Sequence, residues 1–489
     1  MATWLLGESV MNRRTMALNV ALLLAVAHLA GAQWGPVAPG IEYREFTLDG
    51  PIRAFVARAE RSKDNWTIDT MIGQGMLRTG LETVSGMAER YDDAINFQGQ
   101  CYDVKVAVNG DYFSFKTQQI AGGQIIGGWL VRRFGSYGGG SGFVWKTNRQ
   151  CLLGGNVSNK KELQHVAFSD FTEVEITEIN RERGSNELIL FTPHYAERTY
   201  TTNGGVEVLV QVPEPVGLLA KGGQIKGTIR AVEQRNGSTP ILFDQVVLSG
   251  HGTAGATLLH HAQVGQQVGI SLGMEDHGVE EVGMPPADWQ GAYASTGGRF
   301  YCVVAGKVPA ERWEREKTPG AVNRHPRTAT AMNDKYVYFV VVDGRSQQSV
   351  GMTITELGDF CKEQLQATYA IAQDGGGSST MWVEGQVKNV PSDGHERAVG
   401  NGNMIALVLA PRRSGSFSAG DKVETKEGGQ LRLGPGTNYG VLAEVAGSEA
   451  GVIVEHSLNG IYAKGEQWWQ CRLERTEGWL PEAILAKSR

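Results

Sequence analysis

KYVYFVVV, residues 335–342, runs into Asp343-Gly344-Arg345, and further on YAIAQ, residues 369–373, runs into Asp374-Gly375-Gly376-Gly377-Ser378-Ser379-Thr380. Each apolar run is rich in β-branched and aromatic residues and closes on an aspartate and a glycine, which predicts two strands. Between them Ile354, Leu357, Cys361 and Leu365 recur at helical spacing over 353–366. Thr353 with Glu356 predicts a capping box, hydroxyl and carboxylate satisfying amides that the first turn leaves free. Strand, helix, strand in this order predicts a right-handed parallel unit with both strand ends on one sheet edge. Ligands of α/β sheets bind along that edge, so Asp343 and Asp374 are expected to face one crevice. The fold class that follows is α+β: a mixed α/β sheet core with an antiparallel β insertion, followed by a small all-β barrel.

Upstream, Asn333-Asp334-Lys335 joins RTATAM (327–332) to the first of these strands as a hairpin. With Met332 paired near Tyr336, Arg327 falls opposite about Val341 and close to Asp343. A planar guanidinium there suits bidentate recognition of phosphate or carboxylate; the plainer readings are a salt bridge or a surface strand residue. In the Asp374 loop, Gly375, Gly376 and Gly377 allow close backbone approach and an anion-binding nest, and Ser378, Ser379 and Thr380 add hydroxyls. The plainer reading is a tight turn whose aspartate caps the next segment. A nucleotide phosphate loop is excluded because Gly-Lys-Ser/Thr is missing, and no Gly-x-Ser-x-Gly elbow supports a serine hydrolase. A further strand, 104–108, ends on Asn109-Gly110-Asp111-Tyr112-Phe113: a turn, or more of the same site with Tyr112 and Phe113 as core or as a sugar-stacking wall. Glu396-Arg397 is either a surface pair or a second phosphate clamp.

The chain of 489 residues exceeds the ~250–300 at which single cores stop growing. A net charge of -6 gives no basic footprint for nucleic acid. Its 65 glycines are about twice the usual share of ~7%, without collagen period, which predicts many tight turns. Arg13 and Arg14 precede an apolar run from Ala17 to Ala30, and Ala30-Gly31-Ala32 is a small-residue cleavage pattern. The run is shorter than the ~20 residues that span a bilayer. The expectation is a signal peptide over 1–32, hence a secreted or periplasmic protein with no membrane span. Five cysteines in an exported chain permit disulfides; Cys101–Cys151 and Cys302–Cys361 are candidate pairs, with Cys361 equally readable as a buried thiol. Residues 33–413 read as one catalytic domain, with a β-rich insertion over about 166–282. A serine-glycine linker (414–419) leads to an aromatic-rich β unit over 420–489.

Taken in order, several segments resemble the phosphodiester glycosidase family: 107–113 (AVNGDYF), 326–329 (PRTA), 342–345 (VDGR), 351–357 (GMTITEL), 374–381 (DGGGSSTM), and Glu396-Arg397 with Asn401 and Asn403. The Asp-Gly-Gly-Gly-Ser-Ser-Thr segment is the most specific of these. His325 stands where the family more often has asparagine and Gln373 where leucine precedes the aspartate; substrate detail is what these departures bear on. Residues 431–439 (LRLGPGTNY), with Trp468-Trp469 and 477–480 (EGWL), resemble a bacterial SH3 domain, a module that implies binding to cell-wall material such as peptidoglycan.

The expected function is an exported glycosidase cleaving a sugar-1-phosphodiester, such as an α-N-acetylglucosamine-1-phosphate ester, to free sugar and phosphomonoester. The alternative is a non-catalytic protein that binds cell-wall material or glycan phosphate. Breaking the anomeric bond needs a carboxylate that attacks C1 or activates water; Asp374 is first choice and Asp343 second, with Asp111 and Glu396 in reserve. Arg327, Arg397 and the amides of Gly375, Gly376 and Gly377 would take the charge developing on the departing phosphate. Asn109 would position a sugar hydroxyl. No cofactor is required by the sequence; calcium or magnesium stays open, since clustered Asp and Asn oxygens suit either ion.

Overall fold

Along Tyr336–Val342, side chains alternate between two buried faces. Val337, Phe339 and Val341 enter one core, while Tyr338, Val340 and Val342 enter another. The neighbouring strand Ile52–Glu60 does the same, with Phe55, Ala57 and Ala59 on one side and Ala54 and Val56 on the other. The protein is described here from a computed structural model that covers residues 33–135, 142–160, 162–202, 204–217, 223–234, 237–474 and 476–488. The expected signal peptide, 1–32, lies outside the described residues.

Both strands belong to a seven-stranded sheet ordered Gly35–Ala38, Ile41–Leu48, Ile52–Glu60, Tyr336–Val342, Arg327–Met332, Tyr369–Ala372, Phe300–Val303. Its outer face is covered by the helix Ile354–Leu365 through Ile354, Leu357, Phe360, Cys361 and Leu365. The capping box forms as expected: Glu356 N donates to Thr353 Oγ1 at 3.1 Å and Thr353 N to Glu356 Oε2 at 2.9 Å. The inner face packs on a second sheet, ordered Gln386–Val387, Met381–Val383, Cys101–Asn109, Asn401–Leu409, Trp66–Ile72. Ile68, Val106, Val108, Met381 and Ile405 fill the space between the sheets. A short helix, Val84–Tyr91, closes the far side through Val84, Met87 and Ala88. Each such apolar side chain contributes ~1.5–3 kcal/mol on full burial, and the core between the sheets is the largest reason the two stay face to face.

This arrangement overturns the α+β expectation of a mixed α/β core: the protein is mostly β, and its sheets are antiparallel. The strands on either side of the helix do run the same way, but Arg327–Met332 lies between them and is antiparallel to both. Among the described residues the one parallel pairing is a two-residue stretch, Glu178–Ile179 against Leu188–Phe191. An unbroken apolar run reports burial on both faces, which is usual in parallel sheets; here a sheet and a helix supply the cover instead. The hairpin register also differs by one residue: Met332 pairs with Val337 and Arg327 with Val342.

A five-stranded sheet that includes Gln124–Ile126 and Ala292–Thr296 adjoins this body. Strands between Gln164 and Leu272 build an antiparallel-dominated sheet of eight with its own core. Strands from Lys422 to Lys487 form the last sheet, around Val423, Leu431, Trp469, Cys471 and Leu480. That unit docks on the body: Leu458, Ile461, Trp468 and Trp479 pack with Ile95, Cys101 and Phe243, and His456 Nε2 lies 2.9 Å from Asp244 Oδ2. The segment expected as a linker packs too, with Phe417 edge-on to Trp469 and the Ser414 and Ser416 hydroxyls donating to Glu482. All five cysteines are free thiols, so neither candidate disulfide forms. Among the described residues no helix is long and apolar enough to cross a membrane.

Candidate functional site

The site forms where strand ends from the two face-to-face sheets meet. Cys101–Asn109 runs out into Gly110-Asp111, and Tyr369–Ala372 into Gln373-Asp374. Asp374 N donates to Gly110 O at 3.0 Å. Asn109 completes the seam: its Nδ2 donates to Asp374 O at 2.7 Å, and its Oδ1 accepts from Thr328 Oγ1 at 2.7 Å and Thr380 N at 3.2 Å. Beneath lies a buried polar triad, with Gln373 Nε2 donating to Thr296 Oγ1 (2.5 Å), Thr296 Oγ1 to Asn403 Oδ1 (2.8 Å), and Asn403 Nδ2 to Gln373 Oε1 (2.9 Å). A satisfied buried network of this kind fixes one arrangement, because any slip leaves polar groups unpaired.

Two carboxyls stand on this platform. Asp374 accepts from Gly375 N at 2.9 Å and from Ser378 Oγ at 2.7 Å. Burial pushes it up to about 6, although those hydrogen bonds and the Arg397 charge pull the other way. Asp111 is 7% exposed. Burial pushes it up to about 7, and the charge on Asp374 adds to the rise, against amide hydrogen bonds from Tyr112 and Gly122. A Cβ at Gly122 or at Gly297 would collide with Asp111 Oδ2, so its slot needs glycine on both walls. The charge on Asp374 therefore disfavours ionisation of the buried Asp111 carboxyl.

Arginines stand on the loops next to the pair. Arg397 Nε donates to Asp393 Oδ2 at 2.8 Å, and its Nη1 reaches Ser378 Oγ at 3.4 Å. Arg345, exposed and in the left-handed region at φ 60°, lies so close that a Cβ on Gly376 would sit 2.9 Å from its Nη2. A Cβ on Gly377 would collide with the Arg397 guanidinium. Exposed Arg299 stands 6.0 Å from the Tyr112 ring centroid. The glycine run thus makes a bed for guanidinium groups. Of its amides, Gly375 N goes to its neighbouring carboxylate and Gly376 N to Pro326 O at 2.9 Å.

Other residues singled out in the sequence stand one layer back. Arg327 is 6% exposed, and its guanidinium donates to Met352 O, Gly320 O and Asn323 O, each at 2.7 Å. Asp343 is 3% exposed and accepts from Val390 N at 3.0 Å and Asn389 Nδ2 at 3.2 Å; burial raises its carboxyl. Asn389 in turn donates to Ser379 O at 3.0 Å, so Asp343 steadies the glycine loop from behind. Glu396 accepts from Ser85 N at 2.8 Å and Ser85 Oγ at 2.6 Å, in the first turn of Val84–Tyr91. Ser379 and Thr380 are buried, and their hydroxyls find no partner. Asp111, Asp374, Ser378 and Arg397 come together, whereas Arg327, Asp343, Glu396 and Asn109 engage the backbone and neighbouring loops. Sequence reasoning missed Arg299 and Arg345 as neighbours of the site; the only trace was Arg345 closing its motif. Among the described residues no group of three His, Cys, Asp or Glu side chains converges as a metal site. A separate cavity of about 90 Å³ between body and C-terminal unit is lined by Asp69, Trp129, His194, Phe243 and Tyr439; neither carboxyl of the pair reaches it, so charge rather than hollowness marks the site.

Two carboxyls of raised pKa thus stand close to guanidinium groups, an arrangement with the parts for proton transfer beside an anion. Residues 223–406 match the family model for phosphodiester glycosidase, a span holding Asp374 and Arg397 but not Asp111. A structure of a hypothetical protein from Synechocystis shares the fold at 14% identity and TM-score 0.50, over 77% of this chain and 64% of that one. A Burkholderia pseudomallei structure, described as a candidate exported protein, aligns at 20% identity and TM-score 0.48 over 81% of each chain. The catalytic domain of zebrafish N-acetylglucosamine-1-phosphodiester alpha-N-acetylglucosaminidase, auto-inhibited by its pro-peptide, aligns at 14% identity and TM-score 0.39, over 78% of this chain and 87% of that one. No curated protein matches the chain.

Proposed function

We propose that the protein is an exported glycosidase that hydrolyses a sugar-1-phosphodiester, releasing the sugar and leaving a phosphomonoester. The observation that carries this reading is the Asp111–Asp374 pair, with Arg397 and Arg345 against the loop that carries Asp374. Asp374, whose carboxylate accepts from Gly375 N and Ser378 Oγ and feels the Arg397 charge, is the ionised partner and attacks the anomeric carbon or deprotonates the attacking water. Asp111, buried between Gly122 and Gly297, gives its proton to the departing phosphate oxygen; where Asp374 attacks the anomeric carbon, the Asp111 carboxylate so formed takes a proton from the water that then cleaves the glycosyl ester. A phosphate leaving group needs little protonation but gathers negative charge as the bond breaks. Arg397, partly exposed and already hydrogen-bonded beside Ser378, is placed to take that charge with Arg345. Arg327 and Asn109 act in this scheme as positioning residues: one holds the 320–323 turn to the sheet, the other fixes Asp374. The match to the phosphodiester glycosidase family supports the substrate class; export rests on the N-terminal sequence pattern.

The test is release of reducing sugar from α-N-acetylglucosamine-1-phosphate esters by the purified full chain. Wild type should release it, and Asp374→Asn, isosteric but uncharged, should lose on the order of 10³-fold or more in kcat while staying folded. Binding of the ester without release by wild type would end the catalytic reading.

A further inference from the structure

We infer that Phe115 and Arg397 together form the subsite for the leaving half of the substrate, and that this half carries a ring that stacks on Phe115. The inference rests on the hydrolytic reading of the Asp374 site for what the ring belongs to, but its geometry stands by itself. Phe115 is 67% exposed, an unusual state for a phenyl ring. It is no isolated surface residue. The Arg397 guanidinium lies 5.5 Å from its ring centroid, and the same guanidinium contacts Ser378, which holds Asp374. Phe113 backs it edge-on, with ring centroids 4.9 Å apart.

The loop that presents the ring is tightly tied. Phe113 bridges Ile120, Ser114 N donates to Gln119 O at 2.9 Å, and Gln118 N donates to Ser114 O at 2.7 Å. Thr117 N adds a bond to Ser114 Oγ at 3.2 Å. Phe115 is therefore held out over the mouth of the site with little freedom to fold back into a core. An aromatic face next to a phosphate-seeking guanidinium matches a phosphomonoester whose organic group is a sugar or nucleoside ring. The phosphate lies on the arginine and the ring on the phenyl face. Such stacking contributes beyond simple burial, so the residue sets which leaving groups are accepted.

The test is binding of the product side, which needs no turnover. Full-length wild type, Phe115→Ala and Phe115→Trp are titrated calorimetrically with methyl phosphate, glucose 6-phosphate and uridine 5′-monophosphate. Wild type should bind at least one ring-bearing ester roughly three- to tenfold more tightly than methyl phosphate. Phe115→Trp should keep that preference and Phe115→Ala should lose it, with circular dichroism unchanged because the residue is exposed. The ring ester that gains identifies the leaving group as sugar or nucleoside. No preference in wild type, or one that survives in Phe115→Ala, overturns the subsite. If the preference holds but no sugar-1-phosphodiester is hydrolysed, the subsite stands and the hydrolytic reading falls.

Discussion

Asp111→Asn tests the electrostatic core of the site without measuring catalysis. The folded protein raises this carboxyl from 3.8 to about 7. A folded-state pKa above the unfolded one means the native state holds the proton more tightly. Its contribution to stability is complete below the unfolded value and is lost as pH climbs through the folded one. Once pH is above both, the ionised carboxylate disfavours the folded state by about 4 kcal/mol. Between about pH 5 and about pH 8, wild type should lose roughly 2–3 kcal/mol relative to Asp111→Asn. The variant carries a constant offset, because its amide keeps one acceptor while its NH₂ faces an amide donor in a slot walled by Gly122 and Gly297. That offset does not change with pH, and the other raised carboxyls, Asp374 and Asp69, titrate in both proteins and largely cancel. Urea unfolding followed by tryptophan fluorescence at stepped pH reads the difference. The variant should gain on wild type as pH rises, and the gain should shrink in an Asp374→Asn background, where the like charge is gone. Parallel stability curves across that range would refute the strained pair.

The same pair predicts a bell-shaped dependence of kcat/KM on pH with flanks near 6 and 7, an acid limb from Asp374 and an alkaline limb from Asp111. A profile flat from about pH 5 to 8 removes both carboxyls from the mechanism. Arg327→Ala should destabilise the protein by roughly 2–4 kcal/mol in urea unfolding, since one buried and two partly buried carbonyls lose their donor. Its folded fraction should keep the wild-type KM; a stable Arg327→Ala with a greatly raised KM would put that guanidinium on the substrate.

Part of this was legible because strand periodicity and caps are local. The capping box of Thr353 and Glu356, the 333–335 hairpin and the strands flanking the helix follow from nearest neighbours in sequence. What covers a doubly buried strand does not. Val337 and Val342 look alike in the chain, yet one faces a second sheet and the other a helix. Nor does the sequence say that Arg327–Met332 inserts between two strands of like direction, which converts an apparent parallel unit into antiparallel ladders.

The site divides along the same line. Asp374 and its glycines stand out because a strand-end carboxylate with an unshielded backbone is rare without a purpose. The purpose differs from an amide nest, however. Gly376 and Gly377 leave room for guanidinium groups from Arg345 and Arg397, and two of the three amides are already engaged. Arg327 drew attention for the right charge at the right strand end, but an arginine that is 6% exposed with three carbonyl partners is structural glue. Arg345, exposed, and Arg397, partly exposed and paired with Asp393, lie against the glycine bed, and they belong to loops whose meeting no local pattern encodes. In the function proposed, cation exposure, rather than nearness to an acidic strand end, is what separates the arginines assigned to the phosphate from those that hold the frame.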